Sequence, residues 1–200
     1  MPKPRCRVAV TGGPGGGKST AVDLFRRELG EEVVVVPESA TMLFSGGFPR
    51  TEEPEARCYA QRAIFHVQRN LEDLYRSQYP GRALICDRGT IDGAAYWPRN
   101  GDYFMSMGTT HEAELARYDA AIFFESAAVG GMSIEGGNPT RIETDVEAVQ
   151  LDRALRELWK DHPRFVMVPH QASFFEKLRV GFEAMREIVR AHRENGHSGG

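Results

Sequence analysis

The sequence predicts an α/β fold, a three-layer domain in which a five-stranded parallel sheet is flanked by helices on both faces. Three observations carry this reading. Short apolar runs of four or five residues alternate with stretches of helical periodicity along the whole chain. The first run leads straight into a glycine-rich turn that opens a helix. Glu38, Asp87 and Glu125 each stand just past an apolar run. Parallel sheets bind ligands beyond the carboxyl ends of their strands, so these acids and residues 12–17 are expected to be neighbours.

Each element follows from its own residues. Arg7–Thr11 is a short buried strand, and residues 12–17 break it. Lys18–Leu29 resumes with helical spacing through Ala21, Leu24, Phe25 and Leu29, and Gly30 closes that helix as a C-cap. Val33–Val36 is four β-branched residues in a row, expected to be a strand buried on both faces, and Pro37 ends it. A Gly/Pro loop spans 45–54. Residues 55–79 place Ala60, Ala63, Ile64, Val67, Leu71, Leu74 and Tyr75 on one helical face, stopped by Pro80-Gly81. Residues 83–86 form the third strand, with Asp87 at its end. The segment 90–118 is helical or irregular, and Ala120–Phe124 is the fourth strand. A glycine-rich loop covers 126–140. Residues 144–159 are amphipathic through Val146, Ala148, Leu151, Leu155 and Leu158. Phe165–Val168 is the fifth strand, and a last helix runs from Phe174 to about His192. Residues 1–193 read as a single nucleotide-binding domain and 194–200 as a flexible tail.

Composition bounds the function. With 41% hydrophobic and 26% charged residues in 200, the chain can bury a core, which excludes long-range disorder. A net charge of -3 argues against a broad nucleic-acid surface but allows a small phosphate pocket. The cysteines, Cys6, Cys58 and Cys86, are widely spaced with no CxxC, which suits a reducing compartment and offers no structural zinc site. No apolar run approaches the ~20 residues of a membrane span, and the basic N-terminus is too short in apolar residues for a secretory signal. The chain therefore reads as soluble and cytoplasmic.

The chemistry begins at Gly12-Gly13-Pro14-Gly15-Gly16-Gly17-Lys18-Ser19, which fits G-x-x-x-x-G-K-[ST], with Thr20 following. Glycines let backbone N–H groups converge on phosphate oxygens, and the helix opening at Lys18 adds its positive dipole end. Lys18 is expected on the β- and γ-phosphates and the Ser19 hydroxyl on Mg²⁺. The motif sits between a strand and a helix, as it must. It implies binding of ATP or GTP and leaves the reaction open.

Two further acids follow strands. Asp87 can hold the metal directly or through water, or it can simply N-cap the next helix. Arg88 beside it can clamp a phosphate. Glu38, after Val36-Pro37, is the best-placed base or orienting carboxylate for an acceptor hydroxyl; the alternative is a loop acid near a helix start. Arg141 is the cation of a segment with glycines at 130, 131, 136 and 137. It can act from a closing lid, while Thr140 to Glu143 and Thr144 to Glu147 also read as capping boxes. His66, His162 and His170 lack metal-ligand spacing, and Trp159 reads as a helix anchor.

The chain resembles a P-loop family labelled "AAA domain". The residues that carry the likeness are Thr11 to Ser19, Pro37-Glu38-Ser39-Ala40-Thr41 with Gly46-Gly47, Cys86-Asp87-Arg88-Gly89 with Asp92 and Ala95-Tyr96, Arg117-Tyr118-Asp119, and Arg141-Ile142-Glu143 with Asp152, Trp159 and His162-Pro163. They occur in the family's order over nearly the whole chain, and the N-terminal module of the TRP-channel translocation defect protein is similar. The family is linked to GTP or ATP binding. Its eukaryotic member is linked to phosphoinositides through a further C-terminal domain, for which this sequence is too short, so that property is not expected to carry over.

The layout is also similar to deoxynucleoside and nucleoside-monophosphate kinases. That likeness implies the strand order 2-3-1-4-5, with Glu38 as base, Asp87 and Arg88 serving metal and substrate, and Gln61 where those enzymes carry a base-reading glutamine. The acid before Arg88 is Asp rather than the Glu usual in deoxynucleoside kinases, and the lid offers one arginine where they often have more. No Asn-Lys-x-Asp is present, so Ras-like guanine recognition is not expected. Two functions fit: a small-molecule kinase moving the γ-phosphoryl to an unidentified nucleoside- or nucleotide-like acceptor, or a nucleotide-binding switch or slow NTPase acting through a partner protein. Glu38 separates them: a kinase needs it across from the γ-phosphate and facing an acceptor pocket, whereas a Glu38 turned away from the phosphate loop, or held in a salt bridge with no open pocket beside it, favours the switch.

Overall fold

A computed structural model of the chain describes residues 6–98, 101–131 and 144–197. Its sheet holds β1 (Arg7–Thr11), β2 (Val33–Val36), β3 (Ala83–Asp87), β4 (Ala120–Phe124) and β5 (Phe165–Val168), all parallel, in the order β2-β3-β1-β4-β5. The helices are α1 (Lys18–Leu29), α2 (Ser39–Ser45), α3 (Pro54–Gln78), α4 (Tyr103–Ser106), α5 (His111–Leu115), α6 (Asp145–Trp159) and α7 (Phe174–His197). Parallel strands need crossovers, and these helices supply them on both faces of the sheet.

The two-residue period of the strands divides the core into two layers. Val8 and Val10 of β1 join Phe25 of α1 and Met185 and Ile188 of α7 on one face. Ala9 faces the other way, with Leu84, Cys86, Tyr118 and Trp159. The sheet's order and its strand boundaries are those the sequence implies.

Four local expectations are corrected. β2 is the sheet edge, so Val34 and Val35 are only half-buried rather than covered on both faces. On α3 the apolar stripe holds at Ala60, which is buried, and at Leu71 and Tyr75, which pack half-buried against the core, but Phe65, Gln68 and Glu72 are buried beside it and Leu74 is exposed. In α6 the buried positions are Ala148, Asp152, Leu155 and Trp159, with Val146 outside. α7 continues to His197, so residues 194–197 are helical, with Arg190 and Glu194 paired one turn apart at 2.8 Å. The helix α2 has no counterpart in the sequence reading, because seven residues are too few to set up a period. Among the described residues no helix is long and apolar enough to cross a membrane.

Candidate nucleotide site

The phosphate loop is shaped by backbone crowding against the end of β4. Gly12 has φ +132°, and a Cβ there would lie 2.1 Å from the Phe124 carbonyl oxygen, so no other residue fits. Gly17, at φ +85°, turns the chain into α1. The Gly13 N–H donates to Asp152 Oδ1 at 3.0 Å, and the same oxygen accepts the Ser126 N–H at 2.7 Å. The Ser126 hydroxyl donates in turn to the Pro14 carbonyl. Thus α6 and the end of β4 clamp the loop from outside. Lys18 is buried, and its ammonium donates to the Gly13 carbonyl at 2.7 Å. Burial pushes its pKa down to about 7, the Arg88 charge adds to the shift, and Asp87, Glu38 and Asp92 oppose it. Ser19 and Thr20 are exposed at the start of α1.

Opposite Lys18 stands an acid cluster tied together by one arginine. Arg88 is the only non-glycine with positive φ among the described residues, at +70°. Its N–H donates to the Val10 carbonyl at 3.0 Å, fixing β3 to β1 at the site. Its side chain donates to Glu38 Oε1 at 2.5 Å and to Asp92 Oδ2 at 3.2 Å. Glu38 also accepts the Thr41 hydroxyl. Burial works to raise the Glu38 pKa, but Arg88, Thr41 and Lys18 outweigh it, so the carboxyl lies below its ordinary value. Asp92 accepts the Thr11 hydroxyl at 2.9 Å and the Trp159 indole N–H at 2.7 Å. Burial nevertheless lifts its pKa. Asp87 differs from both. Burial, with the Glu38 charge adding to it, pushes it up to about 6, and no hydrogen bond or ion pair reaches its carboxylate among the described residues.

Lys18, Glu38, Asp87 and Arg88 are therefore brought into one electrostatic cluster across the ends of β1, β2 and β3. Gln61 lies on α3 two turns before Gln68, with its carbonyl oxygen 3.0 Å from where a Cβ on Gly93 would sit. It thus faces the 3-10 turn Asp92–Tyr96. Arg141 lies outside the described residues. Glu125 stands apart from Glu38 and Asp87: its carboxylate accepts the His170 N–H at 2.8 Å and its carbonyl accepts from Lys177.

Asp92, Asp152, Trp159 and Gln68 hold the site together, yet in the sequence Asp92 and Asp152 enter only as members of the ordered series, Trp159 as one of that series and as a helix anchor, and Gln68 not at all. The usable signal was polar residues at buried helical spacing, such as Asp152 between Ala148 and Leu155.

The donor set fits a hard cation poorly as a resident cage and well as a companion of phosphate. Among the described residues no group of three or more His, Cys, Asp or Glu is arranged to hold a metal. The unpartnered Asp87 carboxylate and the exposed Ser19 hydroxyl are oxygen donors of the kind Mg²⁺ takes when it is bound largely through phosphates and water.

A family described as an AAA domain matches residues 7–177. No curated protein matches the chain. Among solved structures, the deoxyadenosine kinase from M. mycoides with bound dATP is similar over 91% of this chain and 100% of its own, with a TM-score of 0.64 and 15% sequence identity. At that identity the likeness speaks for the fold.

Proposed function

The chain belongs to this AAA-domain family of P-loop nucleotide-binding proteins, and on that footing we propose that it is a Mg²⁺-dependent kinase that moves the γ-phosphoryl of ATP or GTP to a nucleoside- or nucleotide-like acceptor. The observation that supports this most is the placement of Glu38. Its carboxylate lies within the electrostatic field of Lys18, on the triphosphate side of the sheet, and Arg88 and Thr41 fix its orientation. A carboxylate held ionised and oriented suits phosphoryl transfer. The transition state is loose in most analyses, so aligning the acceptor hydroxyl matters more than a strongly basic group.

The roles follow from position. Backbone N–H groups of residues 12–17 and the Lys18 ammonium bind the β- and γ-phosphates. Glu38 accepts the acceptor's hydroxyl proton. Arg88, charged under all conditions because Tyr96, Glu38 and Asp92 outweigh its burial, presents a cation to the transferring group. Gln61 lines the acceptor side. Ser19 and Asp87 would hold Mg²⁺, which would supply neutralisation of the phosphate charge. Lys18 and Arg88 face three carboxylates, Glu38, Asp87 and Asp92, so a triphosphate would enter an acid-rich site and needs a cation with it.

One observation favours a second reading, a nucleotide-binding switch or slow NTPase: Glu38 is already engaged by Arg88. The experiment that separates the two is ADP or GDP release from Mg-ATP and Mg-GTP across a panel of nucleosides, nucleoside monophosphates and sugars. A kinase shows acceptor-dependent release that falls by roughly 10²-fold or more in Glu38→Gln, while slow hydrolysis persists. If no acceptor stimulates release, or if Glu38→Gln transfers at the wild-type rate, the kinase reading is overturned.

A further inference from the structure

We infer that Gln68 is a positioning residue that sets the Glu38–Arg88 pair. The inference deepens the proposed kinase reading and rests on it for its catalytic consequence, though not for its geometry. Glu38 and Arg88 come from separate parts of the chain, at the ends of β2 and β3, yet one buried amide reaches the backbone beside both. Gln68 Oε1 accepts the Ser39 N–H at 3.2 Å, directly after Glu38. Gln68 Nε2 donates to the Arg88 carbonyl at 3.3 Å. Its other N–H points to Glu72 Oε1 at 3.4 Å. The amide orientation is fixed by these partners, because Ser39 N–H can only donate and the Arg88 carbonyl can only accept. A residue that could only donate, or only accept, cannot satisfy both.

The anchor behind Gln68 is rigid. Glu72, fully buried one turn further along α3, takes hydrogen bonds from Arg7 and Arg117 at 2.9 Å each and from the Tyr118 hydroxyl at 2.7 Å. Those partners come from β1 and from the segment before β4, so the amide is referenced to the centre of the sheet. Its load is the unusual backbone of Arg88. A left-handed φ on a non-glycine persists only where the surroundings hold it. Two bonds do so: the Arg88 N–H to the Val10 carbonyl on one side, and the Gln68 amide on the carbonyl on the other. Without the second, the Arg88 carbonyl loses that partner, the left-handed backbone is held only by its neighbours, and the guanidinium that meets Glu38 and Asp92 is positioned less tightly. Ser39, also bonded through its hydroxyl to the Ile64 carbonyl at 3.1 Å, ties the Glu38 side to the same helix. Gln68 therefore acts through Arg88 and Glu38 and has no contact with the transferred phosphoryl.

The test reads the ion pair itself. In the full-length protein, the Arg88 Nε–H resonance is identified by its loss in Arg88→Lys, and its hydrogen exchange is measured without nucleotide. Gln68→Met keeps the length of the side chain and removes all three hydrogen bonds. The expected result is a folded protein in which Arg88 Nε–H exchanges at least tenfold faster. In a Glu38→Gln background, where the pair is already broken, adding Gln68→Met should change that exchange by less than twofold. Transfer activity should fall tenfold or more in kcat with the KM for ATP unchanged. Wild-type exchange at Arg88 in folded Gln68→Met overturns the inference.

If Gln68→Met does not fold, Ser39→Pro decides. Ser39 is the first residue of α2, where the backbone tolerates proline, and this change removes the hydroxyl and replaces the N–H that Gln68 accepts with a ring carbon that displaces the amide oxygen. Ser39→Ala controls for the hydroxyl. Faster Arg88 exchange in Ser39→Pro but not in Ser39→Ala supports the inference, and equal exchange in both overturns it. Should no acceptor be phosphorylated at all, the kinase reading fails while the exchange measurement still decides the role of Gln68.

Discussion

Binding of a triphosphate should draw a proton onto Lys18. In the free protein burial pushes the Lys18 pKa from its ordinary 10.5 down to about 7, with Arg88 adding to the shift. The phosphates bring several negative charges to the same nitrogen, which favours its charged form and returns the pKa toward the ordinary value. At pH 8, one unit above the free value, about nine tenths of free Lys18 is neutral, whereas in the complex it is almost fully charged, so binding should take up about 0.9 proton. The sign is that of a group whose pKa rises on binding. The affinity it contributes is fully present below the free pKa and is lost as pH rises above it, approaching tenfold per unit, or about 1.4 kcal/mol, between pH 8 and 9. Titration calorimetry of Mg-ATP and Mg-GTP at pH 8, in buffers of different ionisation enthalpy, measures the uptake directly. Less than about 0.2 proton taken up at pH 8, with affinity flat to pH 9, would show that Lys18 is already charged in the empty site and refute the reasoning.

Other substitutions test single parts of the site. Lys18→Ala should abolish triphosphate binding by calorimetry with little change in thermal stability, since the ammonium's one hydrogen bond is to the Gly13 carbonyl of the loop itself. Asp87→Asn should cut turnover far more than nucleotide affinity and weaken the Mg²⁺ dependence; equal loss in both, measured by kinetics and calorimetry, would assign Asp87 to a structural cap instead. Trp159→Phe leaves buried Asp92 without its indole donor and should cost about 1–3 kcal/mol in denaturant unfolding.

Much of the fold is legible in the sequence because its strands are nearly uniform. Apart from Asp87, none of the five strands contains a charged residue after its first position, and four of them are followed directly by Gly, Pro or an acid. Runs so nearly apolar have little alternative to a parallel sheet covered by helices, even where, as in β2 and β5, the strand lies at an edge and is only half-buried. The phosphate loop is legible for a different reason: phosphate cradling demands glycine at fixed spacing, so the chemistry is written in residue types. The capping box at Thr144 and Glu147 is equally local, and it is present as the spacing implies. What periodicity cannot supply is the identity of partners distant in sequence. Asp92 meets Trp159 across 67 residues and Gly13 meets Asp152 across 139, and no pattern within either segment states that pairing.

The errors of the periodic reading are not scattered. On α3 a hydrophobicity count turns Leu71, Leu74 and Tyr75 inward; Leu71 and Tyr75 do pack against the core, but Leu74 is exposed and the fully buried positions beside them are Gln68 and Glu72. On α6 it chooses Val146, and the helix buries Asp152 instead. Just past β3, Arg88 takes a left-handed backbone that local preference favours for glycine, a feature no periodicity announces. All of these polar or strained residues point to the same edge of the sheet or to the residues that hold it. Burying a glutamine, a glutamate or an aspartate costs stability unless every polar atom finds a partner, and here the partners are the Ser39 N–H, the Arg88 carbonyl, the Gly13 and Ser126 N–H groups and the arginines behind them. A fold needing only a core would place apolar side chains at these buried positions, 68, 72 and 152. The polar choice costs packing and yields fixed positions for Glu38, Arg88 and the phosphate loop. Local rules fail in this chain where the candidate site is held, and buried polar networks of that kind are expected where a fold positions a site.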